Sequence, residues 1–321
     1  FTRINQTNAD EVTLRVALVQ QNVPQMDRWT ASPERIVDIY RRYSDLTELY
    51  AGAREGRPSG VDLVVWPESA LLLPWYHQDH VPFLNQLMAK GEFALLAGVD
   101  TDDPTVGVYN SAVLVQGDAA DAQLYHKTHL VPFGEYVPGR NLIPGMDAMF
   151  SAILPGDLAR GTSTEPLRLN KPDVDVIPLI CFEDTVGRVA RKFVRENRPQ
   201  VMANVTNDAW FINSIENEVH LNNAIFRTVE LRRPLVRAAN TGVSAIIDEL
   251  GVVTSRLLDP VTKSPFIQGV LPGEVKLSKS APVTIYARFG DWFAVTCLLI
   301  CATAWLLTRR RSRVPPVSSG D

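Results

Sequence analysis

Uninterrupted apolar runs alternate along the chain with stretches in which apolar residues recur every three or four positions. The runs predict buried strands, which lie at 14–20, 61–68, 93–99, 108–116, 174–181, 200–205, 235–239, 243–248 and 252–258. The helical spacing predicts helices at 33–53, 81–90, 187–197 and 219–232. Strands buried on both faces and separated by helices are typical of a layered α/β fold. Residues 132–161 are rich in Pro and Gly, which predicts a long loop region.

The apolar pattern changes near the C-terminus. Residues 292–307 carry no charge, and as a helix these 16 residues would span about 24 Å, close to the ~30 Å of a bilayer's hydrocarbon core. Trp292 and Trp305 lie near its ends, and an arginine-rich run follows at 309–313. Interfacial tryptophans and a basic cytoplasmic flank are typical of a transmembrane helix. The alternative is a buried core helix.

Composition narrows the class of protein. The net charge is -4 and the pI about 5.8, which excludes nucleic-acid binding by bulk electrostatics. Apolar residues make up 45% and charged residues 21%, which excludes a disordered chain. The chain begins at Phe1 rather than Met, which indicates a piece of a longer protein or a processed one.

One cysteine stands apart from the other two. Cys297 and Cys301 lie within the C-terminal apolar segment, whereas Cys181 is alone in the rest of the chain. A lone cysteine is either a small buried hydrophobe or a reactive thiol. Cys181 ends a predicted strand, and a following helix N-terminus would favour a thiolate and offer N–H groups to an oxyanion. Glu183 and Asp184 would raise the thiol pKa if they point inward, so a cationic partner is needed.

Two further polar residues, Glu68 and Lys127, follow apolar stretches of the chain. Glu68 comes directly after the run VVWP, and functional residues gather at the C-terminal ends of strands in α/β sheets. Lys127 precedes the run THLVPFGEYVP, and its ammonium could stabilise an oxyanion. The alternatives are a solvated loop glutamate and a surface lysine. His126 and His129 flank Lys127, but a third ligand at metal spacing is missing, so we predict no metal site.

Together these segments resemble a known family. The ordered motifs are WPE at 66–68, KTHLVPFGEYVP at 127–138 and CFED at 181–184. This set resembles the nitrilase superfamily and, within it, the bacterial apolipoprotein N-acyltransferase family. Three further stretches, at 206–211, 220–242 and 286–292, extend the resemblance over nearly all of residues 14–308.

The resemblance implies an architecture. It implies a nitrilase-like αββα sandwich over 14–285, with Glu68, Lys127 and Cys181 at its centre. It also implies a transmembrane helix over 286–308 and a basic cytoplasmic tail over 309–321. Residues 1–13 would then connect to a membrane domain that precedes them. The catalytic domain would lie on the periplasmic or outer face of a bacterial inner membrane.

The resemblance also implies a reaction without a cofactor. Glu68 takes the proton of Cys181, whose sulfur attacks an ester of a membrane phospholipid and keeps the acyl chain as a thioester. The N-terminal amine of a diacylated lipoprotein then takes the acyl chain. Lys127 and the backbone N–H of Phe182 stabilise the oxyanion. Glu135 positions Lys127, and Glu183 supports the loop after the nucleophile.

Aromatic residues are candidates for the lipid entrance: Trp210, Phe211, Phe133 and Tyr136. Packing within the sandwich is the alternative for each of them. On the helix at 219–232, we interpret His220, Arg227 and Glu230 as structural. The sequence departs from the family in two places: Phe182 replaces the usual Tyr, and residues 212–214 read Ile-Asn-Ser instead of Gly-Asp-Ser.

Two other functions compete with acyl transfer. A carbon-nitrogen hydrolase of the same superfamily, such as an amidase or carbamoylase, would use the same three residues and resolve the thioester with water. A membrane-anchored binding module without catalysis is the second alternative. The intact set of Glu68, Lys127 and Cys181 argues against it.

Overall fold

The computed structural model describes residues 10–53, 60–140, 142–151, 156–211 and 214–311. Most of the expected connector at 1–13, residues 212 and 213 of the altered motif, and residues 312–321 of the basic tail lie outside the described residues.

The described strands and helices follow one another along the whole chain. The strands are β1 (Glu11–Gln20), β2 (Leu63–Val65), β3 (Ala94–Asp103), β4 (Gly107–Val115), β5 (Gln123–His126), β6 (Leu167–Leu169), β7 (Val174–Ile180), β8 (Val201–Thr206), β9 (Leu235–Ala239), β10 (Ala245–Ile247), β11 (Val253–Arg256) and β12 (Gly269–Ser278). The helices are α1 (Asp27–Thr30), α2 (Pro33–Ala51), α3 (His80–Met88), α4 (Met146–Phe150), α5 (Gly187–Glu196), α6 (Glu216–Leu231), α7 (Ile285–Phe289) and α8 (Trp292–Arg311).

The strands form two six-stranded sheets of related order. One sheet runs β12-β1-β2-β3-β4-β5, and the other runs β11-β10-β9-β8-β7-β6. In each sheet the three central strands are parallel, β1 to β3 in the first and β7 to β9 in the second, and the outer strands are antiparallel. The predicted α/β class is therefore confirmed.

Alternate residues of β1 separate two cores. Leu14, Val16 and Leu18 belong to the core between the two sheets, because they join residues of the second sheet such as Val176. The intervening Ala17 and Val19 belong to a second core with residues of α2 and α3. This is the period of two that a strand imposes on its side chains. The helices α5 and α6 contact β7 and β9 of the second sheet. The predicted αββα sandwich is thus confirmed.

Several elements differ from the predicted pattern. The helix predicted at 33–53 ends at Ala51, before Gly52, and the loop predicted at 132–161 contains the short α4. The periodicity did not predict β5, β6 or β12. β12 contains Pro272 and Gly273, which weaken a strand signal, yet all ten of its residues pair with β1. It lies at a sheet edge, where a proline is tolerated.

The C-terminal helix α8 is apolar and exposed. In the described part of the chain, one helix is long and apolar enough to cross a membrane: Trp292–Arg309 has a mean hydropathy of 1.6, and none of it is buried. An exposed helix of this composition is not the core helix of the alternative interpretation. The preceding α7 packs onto the sandwich through Ala287, which is fully buried.

Candidate active site

The three predicted residues follow the C-terminal ends of three strands. Glu68 lies after β2 and Lys127 after β5, both in the first sheet, and Cys181 follows β7 in the second. Their charges act on one another, since both Glu68 and Lys127 change the pKa of the Cys181 thiol. The structure therefore brings the three together at strand ends, where functional residues gather in α/β folds.

A hydrogen-bonded group surrounds Lys127. Its ammonium is fully buried and donates to Glu135 Oε1 at 2.8 Å, so the predicted contact between these two residues is present. The Asn110 amide donates to Glu68 Oε1 at 2.7 Å and to Glu135 Oε1 at 3.1 Å. The second oxygen of Glu135 accepts the backbone N–H of Val131 at 2.8 Å. Asn110 thus joins both carboxylates, and the signal for it was a polar residue within the apolar strand β4.

Burial and charge oppose each other at Lys127. Burial by itself lowers the pKa of the ammonium, but Cys181, Glu135 and Glu68 raise it above its ordinary value. Lys127 therefore stays positively charged in the site. A fixed buried cation that interacts with Cys181 is suited to stabilising an oxyanion.

The backbone at Cys181 adopts a sharp turn. Its φ is +50°, a left-handed conformation that costs a non-glycine residue energy and is often retained at functional sites. A 3₁₀ turn (Cys181–Thr185) follows directly, and α5 begins only after it. The Cys181 carbonyl accepts the Asn204 amide at 3.0 Å. The N–H of Phe182 is one of the first in this turn, where no intrahelical carbonyl is available.

The expectation that a helix N-terminus favours a thiolate needs correction. Burial raises the pKa of the Cys181 thiol, Glu68 raises it further, and Lys127 only partly offsets them. Although Cys181 keeps some surface exposure, protein atoms surround its sulfur closely enough for desolvation to dominate. The raised pKa means that the resting thiol is protonated at neutral pH.

The Glu183 side chain supports the Cys181–Thr185 turn through hydrogen bonds. It is fully buried, and its Oε1 accepts the Thr128 N–H at 2.8 Å, the Thr128 hydroxyl at 2.9 Å and the His129 N–H at 3.0 Å. Oε2 accepts the Ile180 N–H at 3.0 Å, and the Tyr125 hydroxyl donates to the same carboxylate. This one side chain therefore ties the residues just after Lys127 to those around Cys181.

Asp184 belongs to a separate buried cluster of four charged side chains. His220 contacts Asp184 Oδ1 at 2.8 Å and Asp208 Oδ1 at 3.0 Å, and Arg237 donates to both aspartates. Burial and Arg237 act to lower the pKa of His220, but the two aspartates raise it to about 9. At neutral pH two cations thus face two carboxylates, so the cluster (Asp184, Asp208, His220 and Arg237) is balanced.

On α6, Arg227 supports the same turn as His220. It donates to the Thr185 carbonyl at 2.9 Å and to Glu230 at 2.8 Å. Both contacts agree with the structural role expected for these residues. They also show that α6 supports the Cys181–Thr185 turn from outside the sheet.

The candidate aromatic residues are mostly exposed. Trp210 is 58%, Phe133 55% and Phe211 45% exposed, and Tyr136 is half-buried. Packing inside the sandwich therefore does not explain the first three. Phe133 lies 5.6 Å from Phe150 of α4, measured between ring centroids, and Phe182 is 40% exposed.

The histidines beside Lys127 have other partners. His126 Nδ1 is 2.8 Å from the Ser111 hydroxyl, and its ring stacks on Tyr109. His129 Nδ1 accepts from Arg188 at 3.3 Å. In the described residues there is no group of three or more His, Cys, Asp or Glu side chains placed to hold a metal ion.

Comparison with known proteins places this geometry in context. Residues 15–282 match the carbon-nitrogen hydrolase family. The chain is 36% identical over 309 residues to an apolipoprotein N-acyltransferase of Geobacter metallireducens, a match that covers 94% of this chain and 54% of that protein. It is 34% identical over 313 residues to the protein of the same name from Rhodopseudomonas palustris, with the same coverage. The chain thus spans about half the length of the curated relatives that it matches.

Solved structures share the fold at lower identity. Nit3 of Saccharomyces cerevisiae, a member of branch 10 of the nitrilase superfamily, has a TM-score of 0.58 at 17% identity and covers 84% of this chain and 91% of its own. A carbon-nitrogen hydrolase superfamily protein of Xanthomonas campestris has a TM-score of 0.58 at 18% identity, covering 87% and 95%. With its two-sheet sandwich and a match that covers most of its length, the chain belongs to the carbon-nitrogen hydrolase family.

Proposed function

We propose that this chain is the catalytic part of an apolipoprotein N-acyltransferase, with Glu68, Lys127 and Cys181 as its catalytic residues. The observation that carries the proposal is the buried Lys127, which donates to Glu135 and interacts electrostatically with Glu68 and with Cys181, a residue at a strained turn. The similarity to apolipoprotein N-acyltransferases over 94% of the chain supports the choice of reaction.

The first half-reaction loads the cysteine. Because the resting thiol is protonated, Glu68 takes its proton as the sulfur attacks an ester carbonyl of a membrane phospholipid. Lys127 and the Phe182 N–H stabilise the tetrahedral oxyanion. The lysophospholipid then leaves as its oxygen receives the proton from Glu68, and the acyl chain remains as a thioester on Cys181.

The second half-reaction transfers the acyl chain. The N-terminal amine of a diacylated lipoprotein attacks the thioester and Glu68 accepts its proton, so the amide forms as the carbon–sulfur bond breaks. A covalent intermediate lets two large lipid substrates use the same site in turn, because the first product leaves before the acceptor binds.

The surroundings of the site suit substrates that lie in a bilayer. Exposed Trp210, Phe211 and Phe133 would line the lipid entrance, with Tyr136 beside them. Helix α8 would anchor the chain in the bacterial inner membrane, with the arginine-rich end on the cytoplasmic side and the catalytic domain on the periplasmic face.

Intact-protein mass spectrometry tests the proposal. The full-length, membrane-inserted protein is incubated with a phospholipid and no acceptor, and we expect a mass increase of one acyl group. Adding a synthetic diacylated lipopeptide should remove that mass and yield the N-acylated peptide. Cys181→Ala should show neither event, whereas Cys301→Ala, the matched control in α8, should behave like the wild type.

A carbon-nitrogen hydrolase is the second candidate, because its family name describes the match over residues 15–282. Cleavage of small amides by the wild type, without any acyl adduct from phospholipid, would favour the hydrolase and reject acyl transfer.

A further inference from the structure

A small pocket lies next to Glu68. It has about 10 Å³ of room for a water-sized group and is lined by Glu68, Ser69, Asn207 and Asn240, with apolar side chains such as Ile39 and Leu72. A cavity needs roughly 10–15 Å³ of such room to hold one water. The pocket therefore suits a small polar group rather than a lipid chain.

Ser69 is the unexplained residue of this pocket. It is 7% exposed, and its hydroxyl oxygen is buried with no hydrogen-bond partner among the residues that the structure describes. Leaving such a group unpaired costs about 1–3 kcal/mol, which a ligand would recover. Its φ is +50°, and strained residues of this kind cluster at functional sites.

The other polar groups of the pocket are already engaged. The Asn240 amide bonds both the N–H and the carbonyl of Val23, at 3.0 and 2.8 Å. Asn207 donates to Gln25 at 2.9 Å and accepts from Ala209 at 3.2 Å. What remains for a ligand is the Ser69 hydroxyl and the lone pairs that Glu68 does not share with Asn110.

The pocket also lies near Cys181. Asn207 follows the end of β8, whose Val205 pairs with Ile180, the residue directly before Cys181. Glu68 lines the pocket and also raises the pKa of the Cys181 thiol. A small group in the pocket therefore lies beside the proposed base, at the neighbouring strand ends from which Cys181 and Asn207 follow.

We infer that this pocket is the subsite for the acceptor amine in the second half-reaction, an inference that rests on the proposed function. Ser69 Oγ accepts one N–H of the neutral amine, and Glu68 accepts the other. The nitrogen forms its bond to the thioester carbon, the carbon–sulfur bond breaks, and the proton goes to Glu68 and then to the departing sulfur. Two acceptors orient an amine for attack and thereby favour aminolysis over hydrolysis.

A partition experiment tests the subsite. The full-length protein in phospholipid vesicles is loaded with an acyl group and then given a synthetic peptide bearing an N-terminal S-diacylglyceryl-cysteine. The ratio of N-acylated peptide to free fatty acid is measured. In Ser69→Ala we expect normal loading and a ratio about tenfold lower, the effect of one lost hydrogen bond.

A second variant at Ser69 separates the effect of the hydroxyl from that of the backbone conformation, and a variant at Ser163 is the control. Ser69→Gly also lacks the hydroxyl but accepts the positive φ readily, so we expect the same fall in the ratio. Ser163→Ala, at an exposed position, should match the wild type. A wild-type ratio in Ser69→Ala, or its restoration in Ser69→Gly, would overturn the subsite while normal loading leaves the acyltransferase standing. A wild type that never loads would overturn both.

Discussion

At the scale of single residues, one carboxylate connects two parts of the site. Glu183 accepts hydrogen bonds from residues on both sides of it, the run after Lys127 and the strand before Cys181. Burial raises the pKa of this carboxyl, whereas Lys127 and the hydrogen bonds act in the opposite direction. A buried acceptor with this many donors is costly to alter, because each abandoned donor keeps its desolvation penalty.

Replacing that acceptor should weaken the fold. In Glu183→Gln the amide NH₂ group faces N–H and O–H donors, so at least one of them loses its partner. We expect the free energy of unfolding to fall by about 1–3 kcal/mol, measured by denaturant titration followed by circular dichroism. Glu165→Gln, at an exposed position, is the control. Equal stability of both variants would show that the Glu183 contacts contribute nothing net.

At the scale of elements, strand β3 determines where Glu68 can lie. A Cβ atom added at Gly98 would lie 2.5 Å from the Glu68 Cα and 2.5 Å from the Ser69 nitrogen. The Gly98 N–H also donates to the Pro67 carbonyl at 3.1 Å, and its carbonyl accepts from Leu71 at 3.1 Å. The close approach of two backbones thus requires glycine at this position.

Gly98→Ala should therefore displace Glu68, the proposed base. A shift of about 1 Å at Glu68 is expected to lower the rate of acyl loading on the order of 100-fold. The rate is measured by mass spectrometry over time, with circular dichroism to verify folding. Gly156→Ala is the matched control, since its added Cβ meets open space. Undiminished loading in a folded Gly98→Ala protein would contradict the positional role of β3.

The cluster of Asp184, Asp208, His220 and Arg237 links α6 and β9 to the Cys181–Thr185 turn. It predicts a pH dependence whose sign follows from His220. The folded pKa is raised to about 9 from an ordinary value near 6.5. The charged His220 therefore contributes its full stability below about pH 6.5, and this contribution is lost as the pH rises through about 9.

Denaturant midpoints at pH 6, 7.5 and 9.5 would measure this loss. We expect the wild type to lose up to about 3 kcal/mol across the interval relative to His220→Gln, which carries no titrating group at this position. His77→Gln, a change at a partly exposed histidine, should keep the wild-type slope. Parallel curves for the wild type and His220→Gln would reject the charged form of His220.

At the scale of the whole molecule, two arginines attach the C-terminal segment to the sandwich. Arg191 donates to the carbonyls of Tyr286, Ala287 and Arg288, at 3.0 Å each. Arg233 is almost fully buried and donates to the carbonyls of Ala281 and Pro282. These contacts hold α7 against the sandwich directly before α8 begins. Helix α8 therefore leaves the sandwich at a defined place.

We predict that helix α8 anchors the protein in the membrane. Ile300→Arg places a charge in the middle of the apolar segment, which costs about 2.5–3.5 kcal/mol in a bilayer. We expect a lower share of the protein to remain in membranes after an alkaline carbonate wash, measured by immunoblot. Val261→Arg, at an exposed apolar residue in a loop, is the control. Equal retention of both variants would reject α8 as a membrane anchor.

The local pattern of residues was enough to predict the strands that precede Glu68 and Cys181, and most helices. Apolar periodicity is a local property, because a strand or helix imposes it on its own side chains. The three ordered motifs, at 66–68, 127–138 and 181–184, are likewise visible in the sequence, and they predicted the family. The edge strand β12 was not predicted, because its Pro272 and Gly273 weaken the local strand pattern. It forms nonetheless, because it pairs along its whole length with β1 at the other end of the sandwich sequence.

Other features depend on contacts between distant parts of the chain. Asn110 joining Glu68 to Glu135, the donors around Glu183 and the unpaired hydroxyl of Ser69 all exist only once distant parts of the chain have packed together. The thiol of Cys181 shows the physical reason most plainly. The local turn favours a thiolate, but burial outweighs it and keeps the proton on sulfur, and burial is a property of the packed molecule rather than of any segment.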